Sequence, residues 1–412
     1  MCLDGDASRP HHRYSCIHGL RDERWPCIQM TNEHASLFRS LVFRNGLTLR
    51  NRVVMAPMTT WSADPDGAIS DAELDYYRRR VQGVGMVVTG CTHVTENGIG
   101  FTDEFAAYDD RFIPSLRRLA EAAKSGGALA VLQIFHAGNK AVVEAVPNGE
   151  LVSASAVAAL AGPFNRGDVT PRPLASNEIE DMVRAFGDTV RRAIEAGFDG
   201  VELHGAHGFL LQNFFSPRYN RRCDEWGGSL ENRMRFPLAV VSEARRVIAA
   251  YAKRPFLLGY RISPEEREEG GYRVPDVCAL VDKVIEGGVD YVHASLNDVR
   301  GARPLGADTG LTVKAIVDHV GGRVPVMSAG MLRTPREAAD ALDLGLSLVA
   351  VGKGLVMNPD WVAIAETGCD AQIRHAIDMG EQSQLSIPEG LWAAIEMAPG
   401  WIPVHRPEAV VD

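Results

Sequence analysis

The run Phe198-Asp199-Gly200-Val201-Glu202-Leu203-His204-Gly205-Ala206-His207-Gly208-Phe209 decides how this chain is read. An apolar, strand-sized stretch ends at Leu203 and delivers two imidazoles, three residues apart, just beyond it. In α/β enzymes that position, the loop after a buried strand, usually holds the chemistry. Residues 216–233 follow, too polar for core and too broken by Pro217, Tyr219, Trp226, Gly227 and Gly228 for a plain helix. They are expected to form an active-site loop.

Working outward, the same alternation repeats eight times. Apolar runs at 52–56, 85–90, 128–135, 200–203, 256–261, 291–294, 324–328 and 348–351 are separated by longer amphipathic segments. Each run is apolar throughout, as parallel strands covered on both faces are. The segment 177–196 places Ile179, Met182, Val183, Phe186, Val190, Ala193 and Ile194 at helical spacing, and Gly197 stops it. Ser70-Asp71-Ala72-Glu73 and Thr334-Pro335-Arg336-Glu337 both read as capping boxes, the second with Pro at the favoured first position. Eight such units predict the α/β class and a (β/α)8 TIM barrel. A doubly wound sheet should show G-x-G-x-x-G after an early strand, and this sequence has none. The plan is a loose extension at 1–34, one barrel at 35–367, and a tail at 368–412 that packs on the barrel or on a neighbouring subunit. Residues 137–176, rich in Pro and Gly, read as a lid or excursion and not as a second domain.

Composition narrows the function. The 412 residues carry a formal charge of −10 with no basic cluster, which argues against a nucleic-acid partner. The apolar runs are strand-sized, far short of the ~20 residues of a membrane helix. Seven scattered Cys without a C-x-x-C pair read as reduced thiols of a cytoplasmic protein, with no zinc or iron–sulfur cluster. A homo-oligomer is expected.

The strand ends carry the chemistry. They are Ala56-Pro57-Met58-Thr59-Thr60-Trp61, then Cys91-Thr92-His93, Gln133 with His136, His204 with His207, Arg261, His293 with Ser295, Ala329-Gly330-Met331, and Gly352-Lys353-Gly354. Backbone amides at Gly330 and Gly352, beside Lys353, stand where barrels commonly bind phosphate. Together with the imidazoles, an amide and a guanidinium they indicate a phosphorylated organic cofactor or substrate. His93 and His293 read as packing residues, Cys91 as a small filler, and Trp61 equally as core or as pocket wall. A metal-dependent hydrolase is the rival from another class. It would need His-x-His on the first strand and a late carboxylate, where this chain has Ala-Pro-Met-Thr and Lys353, so no metal is expected.

Several separated motifs resemble the old yellow enzymes, FMN-dependent ene-reductases on a (β/α)8 barrel. They are Asn51-Arg52-Val53-Val54-Met55-Ala56-Pro57-Met58-Thr59, Gln133-Ile134-Phe135-His136-Ala137-Gly138, His204-x-x-His207, Asp224-Glu225-Trp226-Gly227-Gly228-Ser229-Leu230-Glu231-Asn232-Arg233, and Val351-Gly352-Lys353. The resemblance covers residues 38–361 and points to the single-domain branch. It implies FMN as cofactor, NADPH or NADH as hydride donor, and a small activated alkene as substrate. By position, Ala56, Pro57, Met58 and Thr59 line the flavin ring, with the Thr59 hydroxyl tuning it. Cys91 lies against the ring, Gln133 pairs with its pyrimidine edge, and Arg261 balances negative charge on it. Gly330, Gly352 and Lys353 hold the phosphate, Lys353 where the family usually has Arg. His204 and His207 polarise the substrate oxygen, and Trp61 and Phe209 contact the substrate. Phe209 stands where the family usually has the Tyr that protonates the α-carbon, so solvent protonation is expected, or a specialised flavin dehydrogenase or isomerase. Asn139 replaces a frequent Arg at the pocket rim, while Lys140 is retained.

Overall fold

The computed structural model describes residues 33–405, except 163, 166, 307 and 308. The extension expected at 1–34 lies outside the described residues, apart from Glu33 and His34. Eight parallel strands close into a barrel: β1 (Val53–Met55), β2 (Met86–His93), β3 (Leu129–Phe135), β4 (Gly200–Gly205), β5 (Leu257–Ile262), β6 (Tyr291–Ser295), β7 (Val326–Ala329) and β8 (Leu348–Val351). β8 pairs with β1, so no edge is left open. Helices return the chain between strands, among them α1 (Asp71–Arg80), α2 (Ile113–Lys124), α3 (Ser176–Glu195) and α4 (Leu230–Tyr251). The fold class is the α/β barrel that the eightfold alternation implies.

The two periodicities divide the core in two. Inward-facing Val54, Met86, Val88, Val131, Leu257, Tyr291, Met327 and Leu348 fill the barrel, and Phe43 and Leu49 of a short antiparallel hairpin join them. All of these strand residues fall within the first three positions of their strands, so the lower end of the barrel is filled and the site is left to the upper end. Outward-facing strand residues pack on the helices. On α3, Ile179, Phe186, Val190 and Ala193 are wholly buried, and each large one contributes roughly 1.5–3 kcal/mol.

Thr334 forms the complete capping box: its hydroxyl accepts from Glu337 N at 3.2 Å, and the Glu337 carboxylate accepts from Thr334 N at 3.0 Å. The first box forms only by half. Ser70 Oγ accepts from Glu73 N at 3.2 Å, but the Glu73 side chain turns inward, fully buried, and accepts from the Thr60 hydroxyl. Among the described residues no helix is long and apolar enough to cross a membrane.

Candidate active site

Strand register assembles the site. Parallel pairing sets Cys91 beside Gln133, Gln133 beside Glu202, His204 beside Arg261, and Arg261 beside His293. Residues far apart in sequence thus become neighbours about 5 Å apart on one rim. Two adjoining chambers of about 420 and 440 Å³ open at this end. They share Pro57, Thr59, Phe101, Phe164, His207 and Arg261. Cys91, Gln133, His204 and Phe209 line the first, and Ala56, Met58, Trp61, Gly330, Gly352 and Lys353 the second. Every residue singled out in the sequence for cofactor or substrate therefore borders one continuous space.

Burial decides the charge states. It pulls His204 well below the usual histidine range, with His207 and Arg261 adding repulsion, and the ring of His207, which is exposed at the chamber mouth, is lowered too by desolvation against its neighbours and by Arg261, so each is a neutral ring with one N–H. The rings lie 4.9 Å apart, nearly edge to face. Nδ1 of His204 accepts from Ala206 N at 3.3 Å, which leaves Nε2–H as its donor. Nε2 of His207 lies 2.7 Å from Ser295 Oγ, which also accepts from Arg261 Nη2 at 3.1 Å. The second imidazole is thereby tied to a buried cation. For Glu202, desolvation acts to raise the pKa, but His293 and Arg261 outweigh it and keep the carboxylate below its ordinary range. Glu202 accepts from Gln133 Nε2 at 2.7 Å and from the Tyr291 hydroxyl at 3.0 Å. An ionised carboxylate can only accept, so it fixes the Gln133 amide with nitrogen inward and its oxygen free to accept from a ligand. Nε of Arg261 is buried without a partner. Cys91 lies 3.4 Å from the Thr59 hydroxyl, and burial pushes its thiol well up, so it is no nucleophile.

Residues 36–372 match the model of the NADH:flavin oxidoreductase / NADH oxidase family. The chain belongs to this family. It is 41% identical over 91% of its length to the "Probable NADH-dependent flavin oxidoreductase YqiG" of Bacillus subtilis (strain 168), of which it covers 99%. Morphinone reductase in complex with tetrahydroNAD superposes with a TM-score of 0.69 at 26% identity, over 81% of this chain and 91% of that one. An old yellow enzyme homologue from Zymomonas mobilis superposes at 0.68 with 24% identity, over 80% and 92%, a likeness of fold. The protein is an NAD(P)H:flavin oxidoreductase of the old yellow enzyme family, with FMN as its cofactor.

The site fits FMN on its own terms. Gly330 has φ +147°, and a Cβ there would fall 2.3 Å from Leu296 O, so only glycine leaves this cradle open beside Lys353. An acceptor oxygen on Gln133 and an orphaned N–H on Arg261 suit the pyrimidine edge of an isoalloxazine. Among the described residues no three His, Cys, Asp or Glu side chains group as metal ligands.

Three local expectations need correction. His204 lies inside β4, not beyond it, because β4 runs to Gly205; only His207, at φ 60°, is in the turn. Residues 216–229 are a brace more than an active-site loop: Arg222 donates to Ala154 O at 3.1 Å and Leu174 O at 2.7 Å, holding the lid segment, and α4 begins already at Leu230. Asn139 is not at the rim but buried, its amide donating to Val157 O at 3.2 Å.

Other site residues escaped the sequence reading. Trp61 packs edge to face on Phe101 and Trp401, with ring centroids 5.4 and 6.1 Å away, and against Phe164 at 5.1 Å. Phe101 follows β2, Phe164 comes from residues 137–176 and Trp401 from the tail, so with Trp61 one aromatic cluster joins four separate segments. Their clustering had no local signal in the sequence. His293, read as packing, faces Glu202 with Nδ1 at 3.1 Å and is fully buried.

Proposed function

We propose that this flavin oxidoreductase reduces the C=C bond of small alkenes conjugated to a carbonyl or nitro group, with His204 and His207 holding the substrate oxygen. FMN held there would supply the hydride-transfer chemistry that links NADH or NADPH to the β-carbon. Negative charge then grows on the conjugated oxygen. Neutral imidazoles suit this role, since each offers an N–H without inviting proton transfer, and preorganised donors of this kind contribute about 3 kcal/mol each. Thr59, Cys91, Gln133 and Arg261 border the same space on the cofactor side, and Gly330, Gly352 and Lys353 close its far end. Trp61 and Phe209 shape the substrate wall. The observation that carries the reading is the imidazole pair, 4.9 Å apart, opening on the chamber continuous with the glycine cradle.

A panel of enones, nitroalkenes and maleimides, assayed for consumption of reduced nicotinamide under anaerobic conditions, tests it. Turnover with at least one class, with the saturated product recovered, is expected; none with any class contradicts it. Phe209 favours a second reading, a specialised flavin dehydrogenase or isomerase, because a phenyl ring has no proton to give. In that case saturated ketones, not alkenes, would turn over.

A further inference from the structure

Alkene reduction needs a proton at the α-carbon, and at the position of the family's usual phenol this chain has Phe209, only 5% exposed. We propose that Lys140 delivers that proton from its ammonium group and is refilled from a separate polar chamber; the proposal rests on the alkene-reduction reading above.

Two independent observations carry it. Lys140 lies along the turn that bears His207. Its Nζ donates to His207 O at 2.7 Å and stands 5.9 Å from the centroid of the Phe209 ring. At Gly208 a Cβ would fall 2.9 Å from Nζ, so glycine there is what lets the ammonium approach. Lys140 also borders two spaces at once: the chamber of His204, His207 and Phe209, and a neighbouring one of about 380 Å³ lined by Glu265, Glu266, Arg267 and Arg303. Glu268 stands at the same boundary and borders both. One side of the amine opens on the chamber of the imidazole pair and the other on a charged, water-accessible space. Burial lowers the Lys140 pKa against the pull of Glu268 and Glu266, which makes it a better acid near neutrality than an exposed lysine.

The step balances. After hydride reaches the β-carbon, the electron pair left over the α-carbon and the oxygen forms a C–H bond with a proton from Nζ. The N–H bond breaks with its electrons remaining on nitrogen. The neutral amine then takes a proton from water in the polar chamber. Reduced nicotinamide supplies the only two electrons consumed.

The test uses the flavin-loaded protein and 2-methylcyclohexenone, whose α-carbon becomes a stereocentre according to the face that the proton reaches. Wild type should give mainly one enantiomer. Lys140→Met and Lys140→Arg, the latter keeping the charge but unable to release a proton, should lower turnover about 100-fold and erode the enantiomeric excess. Lys140→Met combined with Phe209→Tyr should recover both. Independently of turnover, ¹³C-dimethylation should show the Lys140 resonance titrating below that of exposed Lys283. Wild-type-like turnover and stereochemistry in both single variants would overturn the proposal, as would a Lys140 resonance titrating with that of Lys283. A wild type that reduces no alkene at all would instead overturn the function on which it rests.

Discussion

Lys353 shows how one residue sets a measurable property. Its ammonium lies 5.9 Å from the Trp401 ring, and burial and Arg333 lower its pKa. A point charge satisfies a phosphate less well than a two-pronged guanidinium. Lys353→Arg should therefore tighten FMN binding, by about tenfold if one charge-assisted hydrogen bond is gained, and Lys353→Ala should weaken it by a similar factor or more; equilibrium dialysis of the deflavinated protein reads both. Position made residues of this kind legible. Thr59, Gln133, Arg261 and Lys353 each sit at the end of a recognisable apolar run, and the barrel rule turns that into a place. Lys140 was visible as a residue but not as a role, because its two chambers are made by loops after six different strands.

At the scale of elements, α1 is bound to the site by a carboxyl group. Burial drives Glu73 up to about 7, against the lowering effect of Thr60, the Ser62 backbone and Arg80. The sign follows from linkage. Between pH 4.5 and 7 the unfolded chain gives up this proton while the native one keeps it, so stability falls as pH rises through that window, by roughly 3 kcal/mol in total. Glu73→Gln removes the penalty and can still accept from Thr60. Its stability relative to wild type, from urea unfolding, should improve steadily from pH 5 to pH 8; a difference independent of pH would contradict the assignment. The end of β7 makes a sharper demand. Gly330→Ala puts a Cβ against Leu296 O, and the variant should purify with little or no flavin, seen in its absorbance. Element order and type were readable from the runs and the capping signals. Their ends were not, since β2 continues through Cys91 to His93 across a bulge and β4 absorbs His204, both stabilised by neighbouring strands and not by local propensity.

The described residues form one barrel whose tail comes back to the site. Leu391, Ala394, Ile395 and Ile402 are buried, and Ile377–Asp378 pairs in parallel with Val404–His405. At Gly390 a Cβ would fall 1.8 Å from Trp61 O, so the tail touches the loop after β1 where only glycine fits. Gly390→Ala should displace Trp61 and change KM for bulky alkenes more than for small ones; equal changes would show that Trp61 stays in place. Packing of the tail on the barrel or a neighbouring subunit was expected, but nothing local in residues 368–405 announces contact with the loop after β1, whereas the barrel itself was legible because it rests on a repeat. The most direct test of the account is titration of a phenol, an enolate mimic, into the FMN-loaded protein with the flavin spectrum as readout. The account predicts saturable binding that His204→Ala and His207→Ala each weaken about 10–100-fold, the worth of a hydrogen bond to a charged oxygen. Unchanged affinity in both variants would contradict it.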